Sequence, residues 1–240
     1  MKSTVAPVFI VIGTVLSYAV AVAIGISWLV PVLNTVPAYP FLIGSLRRKR
    51  VDEAVLRMIV WAAALGISAT TLSYLAPESM AQLFVHGEAY RKEMFVFVTT
   101  GRGTEGSIRL FLPQHLGHAA AFCVLALATG SLLAMPLGAV LMNYMAFYVG
   151  ALGAASVHPL AAMALAWVPW ALIRIISFIT LGVVLGGPVL GRLFGFDYRL
   201  AGQRRWLTWA FAGLAIDILL KWALAPWWRG LILSAAGFGH

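Results

Sequence analysis

Three charged residues stand inside apolar stretches of the chain. Asp217 and Lys221 interrupt the run GLAIDILLKWALAPWW, and Arg174 interrupts the run PWALIRIISF. Asp217 and Lys221 are four residues apart, so on a helix they share one face. A charge at the centre of a bilayer costs from about 2.5 to more than 10 kcal/mol, so such residues mark ion pairs, relays or ligand sites. Arg174, Asp217 and Lys221 are therefore the candidate buried charged cluster.

Three histidines form a second candidate site. His115 and His118 are three residues apart, which puts them on one helix face, and His158 lies in the turn SVHP. Zinc requires three or four such ligands to converge. The histidines therefore predict, as the alternative function, a membrane-embedded metal-dependent enzyme. Solvated or hydrogen-bonded histidines at a membrane interface are the simpler interpretation.

The remaining motifs do not indicate an enzyme or a cofactor. GRGTEG at 101–106 matches GxGxxG, but a dinucleotide site needs an acidic residue about 20 positions further on. After Glu105 the next acidic residue is Asp197. Asn143, in LMNYMAFYVG, is a polar residue within an apolar run, where asparagine is expected to hydrogen-bond to another helix. We therefore expect no cofactor and a structural role for Asn143.

The composition defines the class of protein that must position these residues. The chain is 62% hydrophobic and 10% charged, whereas soluble domains carry about 25% charged residues. Several apolar runs exceed the roughly 18 residues of a membrane span. Basic residues cluster in LRRKR (46–50) and at 192–205, as they do in cytoplasmic loops, so the net charge of +9 does not imply nucleic acid. The expected partners are the lipid bilayer and other membrane proteins.

These patterns predict an all-α bundle of about six membrane spans, forming one transmembrane domain over residues 1–240 of a multi-pass plasma-membrane protein. The charge bias puts both basic loops in the cytoplasm and both termini outside. The proline-rich stretch Asn34–Leu46 could cross the membrane as an extra span, which would reverse the N-terminus. The predicted spans are about 6–32, 55–76, two spans within 116–155 separated at Met135–Gly138, 160–186 and 206–225.

Residues 77–114 are predicted to lie on the outer, non-cytoplasmic side of the membrane. Within them, about Met80–Thr99 should form an amphipathic helix at the interface, because apolar side chains alternate with charged ones. Such a helix could cover the histidines.

The second half of the chain resembles the stage II sporulation protein M family of bacterial membrane proteins. The similar stretches are LMNYMAFYVGAL with Asn143, VPWALIRIISFITLGVVLG with Pro169, and LLKWALAPWW with Pro226. Trp170 and Ala171 replace the family's histidine and glycine, and Arg174 falls close to the position of its glutamate. The resemblance implies a membrane scaffold or channel-like subunit.

We therefore expect a non-enzymatic membrane protein, either a scaffold or a permease-like subunit. Arg174 and Asp217 lie at about equal depths on two consecutive spans joined by a short connection, which makes those spans neighbours. This predicts an Arg174–Asp217 ion pair. Lys221, one turn further out, is predicted either to join Asp217 or to reach toward the interface.

Overall fold

A computed structural model describes residues 5–238 of the chain, and these residues form helices and turns without any strand. The all-α architecture predicted from composition is therefore confirmed. The helices are α1 Val5–Ile24, α2 Val30–Thr35, α3 Tyr39–Arg47, α4 Val51–Leu75, α5 Pro77–Leu83, α6 Gly87–Thr100, α7 Ile108–Thr129, α8 Ala134–Ala154, α9 Pro159–Ala166, α10 Pro169–Phe194 and α11 Arg204–Ala236.

Within residues 5–238, seven helical segments, rather than six, are long and apolar enough to cross a membrane. The additional one is the proline-rich segment Ser27–Arg47, which contains a short 3-10 turn, α2 and α3. Pro31 and Pro40 lie in the first turns of α2 and α3, where a missing backbone N–H breaks no helical hydrogen bond. The prolines therefore divide this span into short helices instead of ending it.

The additional span corrects the predicted position of the N-terminal end. The segment Ser27–Arg47 runs antiparallel to α1, since the Asn34 amide donates a hydrogen bond to the Ser17 hydroxyl at 2.8 Å. Further along the same pair, a Cβ atom on Gly13 would lie 2.6 Å from Pro37. The start of α1 therefore lies on the same side of the bundle as the basic residues 48–50, and the prediction that it faces the opposite side is wrong.

Three other predicted span boundaries differ from the helix boundaries in the structure. The break between the third and fourth predicted spans is at residues 130–133, where Gly130 adopts a positive φ of 61°, and Met135–Gly138 lies inside α8. The predicted span 160–186 is two elements, α9 and α10, because Pro169 starts a new helix. The last segment extends over Leu200–Ala236, well beyond the predicted residues 206–225.

The segment between the third and fourth structural spans contains the predicted amphipathic helix in two pieces. α5 and α6 are separated by residues 84–86, where His86 adopts φ 59°. Met94, Phe97 and Val98 of α6 are buried in an apolar cluster with Tyr148 of α8, whereas Lys92 is exposed. The helical prediction is confirmed, and α6 lies against the bundle beside the charged cluster.

Small residues allow the helices of the bundle to approach closely. A Cβ atom on Gly150 of α8 would lie 2.5 Å from the carbonyl oxygen of Thr70 on α4. One on Gly186 of α10 would lie 2.5 Å from the Ser131 hydroxyl. Such spacing is typical of packing between membrane helices. The outer faces of α1 and α11 carry exposed large apolar side chains, such as Phe9, Leu16 and Trp222, that suit lipid contact.

Candidate functional site

Three long helices, α7, α10 and α11, position Arg174, Asp217 and His115. The nine residues between α10 and α11 (195–203) are too few for a long crossing, so the two helices pack as antiparallel neighbours. A Cβ atom on Gly213 of α11 would overlap the Ser177 hydroxyl of α10, so the glycine lets the two backbones lie close. α7 joins this pair through Phe122, whose ring centroid is 4.9 Å from that of Phe178. The side chains of Arg174, Asp217 and His115 therefore converge from three helices.

Asp217 contacts His115 rather than Arg174. The Oδ2 atom of Asp217 is 3.3 Å from Nε2 of His115, and the two side chains are 0% and 3% exposed. Within residues 5–238 no carboxylate oxygen lies within 4 Å of Arg174. The predicted Arg174–Asp217 contact pair is therefore wrong. The two residues still belong to one cluster, because His115, which contacts Asp217, lines the same cavity as Arg174.

The buried groups of this cluster are incompletely hydrogen-bonded. Neither carboxylate oxygen of Asp217 nor Nε2 of His115 has a well-aligned hydrogen-bond partner among the described residues. Buried polar groups in proteins are hydrogen-bonded in the great majority of cases, and exceptions point to strain, function or a bound molecule. The Asp217–His115 contact therefore has unused capacity for a proton.

Lys221 pairs with an acidic residue that the sequence did not assign to the cluster. Its ammonium lies 2.6 Å from the Glu105 carboxylate, close enough for an ion pair although the alignment falls short of a hydrogen bond. The same ammonium is 3.3 Å from the ring centroid of Phe111. Neither predicted alternative describes Lys221, because its side chain is only 3% exposed and pairs with Glu105 instead of joining Asp217 or reaching the interface. Glu105 lies in the 3-10 turn Thr104–Gly106, and its signal was a single carboxylate within the rejected glycine-rich motif.

A cavity lies beside the cluster and has two chemically different ends. One end is polar and is lined by side chains from α6, the 3-10 turn, α7, α8 and α10, namely Tyr90, Glu93, Glu105, Gln114, His115, His118, Tyr144 and Arg174. The other end is apolar, with Leu42, Met58, Trp61, Phe122, Met135, Ile179 and Val183 among its lining residues. Arg174 is only half-buried because its side chain faces this cavity.

The cavity is elongated. Together with its open mouth it encloses about 1170 Å³ of empty space. Its lining runs from Arg174 to Val183 on α10, nine residues, which is about 14 Å along a helix. Gln114 is exposed, while the other lining residues are buried or half-buried. The mouth is therefore at the polar end.

Tyr90 supplies a neutral donor at the polar end. Burial, and then the nearby Glu105 carboxylate, raise the pKa of the Tyr90 phenol well above its ordinary value. The phenol therefore keeps its proton at neutral pH. It can donate a hydrogen bond into the cavity.

The three histidines do not form the predicted metal site. His115 and His118 both line the cavity, but His158 precedes α9 and its backbone N–H donates to the Ala235 carbonyl. Among residues 5–238, no three His, Cys, Asp or Glu side chains are placed to hold a metal ion together. The metal-site prediction is therefore wrong for His115, His118 and His158 as a set.

Asn143 makes the predicted contacts to other helices. Its amide donates to Oδ1 of Asn34 at 2.9 Å, and its own Oδ1 accepts from the Tyr18 hydroxyl at 2.6 Å. Asn34 in turn donates to Ser17 at 2.8 Å. We call Asn143, Asn34, Ser17 and Tyr18 the amide network. It ties α8 to the first two spans and takes no part in lining the cavity.

The fold and the site together define a multi-pass helical membrane protein with a charged cluster beside an amphipathic cavity. The chain matches no protein-family model, no curated protein and no solved structure. The resemblance to the stage II sporulation protein M family therefore stays a prediction.

Proposed function

We propose that this protein is a permease-like membrane protein that binds an amphipathic anion in the cavity. The observation that carries the proposal is the position of Arg174. Its guanidinium faces the polar end of the cavity, and no described carboxylate lies within 4 Å of it. An arginine in this position is costly unless an anion or water solvates it. The anionic group of the ligand would contact Arg174, with the Tyr90 phenol as a further donor.

The apolar end of the cavity is suited to a hydrocarbon chain. Its lining is aliphatic, aromatic and rich in methionine, and methionine adapts its shape to irregular apolar ligands. The length of about 14 Å along α10 leaves room for an extended chain of moderate length. A ligand with one charged end and one apolar chain therefore matches both ends of the cavity.

The cavity favours a permease over a scaffold. Protein interiors are normally close-packed, and a bundle that only holds partners together has no need of a large interior space. This space opens at its polar end near Gln114, and its apolar end is bounded by buried residues such as Leu42 and Val183. A cavity open to one side corresponds to one state of an alternating-access protein.

Binding of permanently charged amphiphiles to the purified protein tests this proposal. The probes are dodecanesulfonate, dodecanol and dodecyltrimethylammonium, which share one chain and differ in charge. Dodecanesulfonate should bind at least about tenfold more tightly than the other two, since a hydrogen-bonded contact to a charged group contributes about 1.5–3 kcal/mol. Arg174→Gln should remove this preference, and Arg174→Lys should retain most of it.

Arg91→Gln is the matched control, because Arg91 pairs with Glu88 on α6 and does not line the cavity. It should leave the preference unchanged. Equal binding of all three probes to the wild type would overturn the proposal, and so would a preference that survives Arg174→Gln. If dodecanesulfonate binds as expected, its movement across the membrane of vesicles that contain the protein distinguishes a permease from a protein that only binds the anion.

A further inference from the structure

His115 lies between the cavity and Asp217. His115 lines the polar end, whereas Asp217 is 0% exposed and does not line the cavity at all. The imidazole Nε2 and the carboxylate Oδ2 are 3.3 Å apart. A proton that reaches Asp217 from the cavity therefore passes through His115.

The protonation state of the His115–Asp217 pair determines whether the pair provides a negative charge near Arg174. Without a bound proton the pair carries one negative charge, and His115 places the pair at the end of the cavity that Arg174 also lines. With one bound proton the pair is neutral overall, whether the proton is on the imidazole or on the carboxylate. Glu105 is already engaged at 2.6 Å by Lys221. A proton on the pair would therefore remove one negative charge from the end of the cavity that Arg174 lines.

We infer that the His115–Asp217 pair is a proton-binding site coupled to the cavity, so that one proton is taken up when an anion binds. This inference rests on the proposed function. The anion becomes the counter-ion to Arg174, and the proton removes the negative charge of the pair from the same end of the cavity. The proton comes from water at the mouth of the cavity, and no bond other than N–H or O–H is made or broken.

Other titratable groups face the pair from each neighbouring element. Lys221 is one turn from Asp217 on α11, His118 is one turn from His115 on α7, and Glu105 lies on the 3-10 turn. Across the cavity, α6 contributes Tyr90 and Glu93, and α8 contributes Tyr144. Of these, His118 is the competing proton acceptor, because it lines the same cavity and its imidazole has no carboxylate within 4 Å in the described part of the chain. The experiment must therefore separate His118 from the pair.

Dodecanesulfonate is the probe, because its own charge does not change with pH. Its affinity for the wild type should fall by up to tenfold per pH unit above the titration of the pair, within the range of about pH 4–8 where carboxylates and imidazoles titrate. In weakly buffered solution, binding should raise the pH of the medium by an amount that corresponds to about one proton per bound anion. Asp217→Asn should bind the probe with little pH dependence and take up almost no proton. His158→Gln, remote from the cavity, should behave as the wild type.

The outcomes separate the two proposals. If dodecanesulfonate binds to the wild type without proton uptake and with equal affinity across this pH range, the proton site is wrong and the proposed function stands. If the probe does not bind at any pH, both are wrong. If His118→Gln abolishes the uptake and Asp217→Asn does not, the proton belongs to His118 and the inference is overturned. Where Asp217→Asn fails to fold, the wild-type uptake decides, together with a displaced pH profile in His115→Gln.

Discussion

The bundle contains two buried polar groups of residues that differ in how completely they are hydrogen-bonded. In the amide network, Asn143, Asn34, Ser17 and Tyr18 all have partners at 2.6–2.9 Å. In the charged cluster, Asp217 and His115 have buried atoms without an aligned partner. The amide network is neutral and lies away from the cavity, whereas the charged cluster lies beside it.

This difference separates a structural role from a functional one. A fully satisfied polar network rigidifies a core, because each group would be expensive to leave unpaired in a low-dielectric interior. An under-satisfied cluster next to a cavity retains capacity for a ligand or a proton. The same energetic rule therefore predicts that similar substitutions lower the free energy of unfolding much more in the amide network than in the charged cluster.

The largest expected effect on stability comes from replacing one amide group of the amide network with a carboxylate. Asn143→Asp replaces the amide that donates to Asn34 with a carboxylate, and it should lower the free energy of unfolding by about 3–5 kcal/mol, the cost of a buried unpaired charge. The reverse exchange, Asp217→Asn, should change it by about 1 kcal/mol or less, because the neutral amide loses the attraction to nearby cations but also the desolvation cost of the buried carboxylate, which has no aligned hydrogen-bond partner. SDS titration followed by tryptophan fluorescence measures both. Equal losses of unfolding free energy in Asn143→Asp and Asp217→Asn would contradict the difference between the amide network and the charged cluster.

A smaller effect is expected from removing the partner of Asn143. Asn34→Ala leaves the Asn143 side-chain N–H group unpaired and removes the hydrogen bond that the Ser17 hydroxyl accepts, and it should cost about 2 kcal/mol. A double-mutant cycle with Asn143→Ala should give a coupling energy of about 1 kcal/mol, within the range known for hydrogen bonds between membrane helices. Independent, additive losses would contradict the network. Gln114→Ala, at the exposed mouth of the cavity, is the control and should have little effect.

A third test concerns the ion pair of Lys221 with the 3-10 turn. Glu105→Gln removes the charge that faces the buried ammonium, and it should cost about 1–2 kcal/mol, as expected for a charge-assisted contact. Glu78→Gln is the matched control, because Glu78 is exposed on α5. Thermal unfolding of the two variants in one detergent compares them. Equal melting temperatures for both variants would show that Lys221 does not depend on Glu105.

The smallest expected effect is at the surface of α6. The hydrogen bond from Arg91 lowers the pKa of the Glu88 carboxyl. A lowered folded-state pKa stabilises the protein above the ordinary carboxyl pKa, and the contribution disappears as the pH falls through the folded-state value. Glu88 is 37% exposed, so the contribution should stay below about 1 kcal/mol. The difference in unfolding free energy between wild type and Glu88→Gln should therefore vanish on acidification. A difference that grows at low pH would contradict this sign.

Much of the architecture follows from short-range patterns. Apolar runs identify spans because lipid offers no partners for backbone groups, so every crossing must be a helix. Apolar runs predicted α4 and, with shifted boundaries, α10 and α11, and the amphipathic pattern of Met80–Thr99 predicted a helix there. They left open whether the proline-rich stretch Asn34–Leu46 crosses the membrane. Proline is read as a helix breaker, and the contacts of these short helices with α1, α4 and α8 hold them together as one span.

The sequence by itself determined that Arg174, Asp217, Lys221 and Asn143 lie inside a helical membrane bundle and not on its lipid-facing surface, because the cost of a charge or an amide in lipid is a property of the residue and its apolar neighbours. Tertiary structure decided which residues meet. His115 from α7 takes the place expected for Arg174 beside Asp217, and Glu105 from a distant turn pairs with Lys221. Such contacts depend on helix rotation and on the space left between helices, and neither the depth of a residue nor its spacing along one helix specifies them.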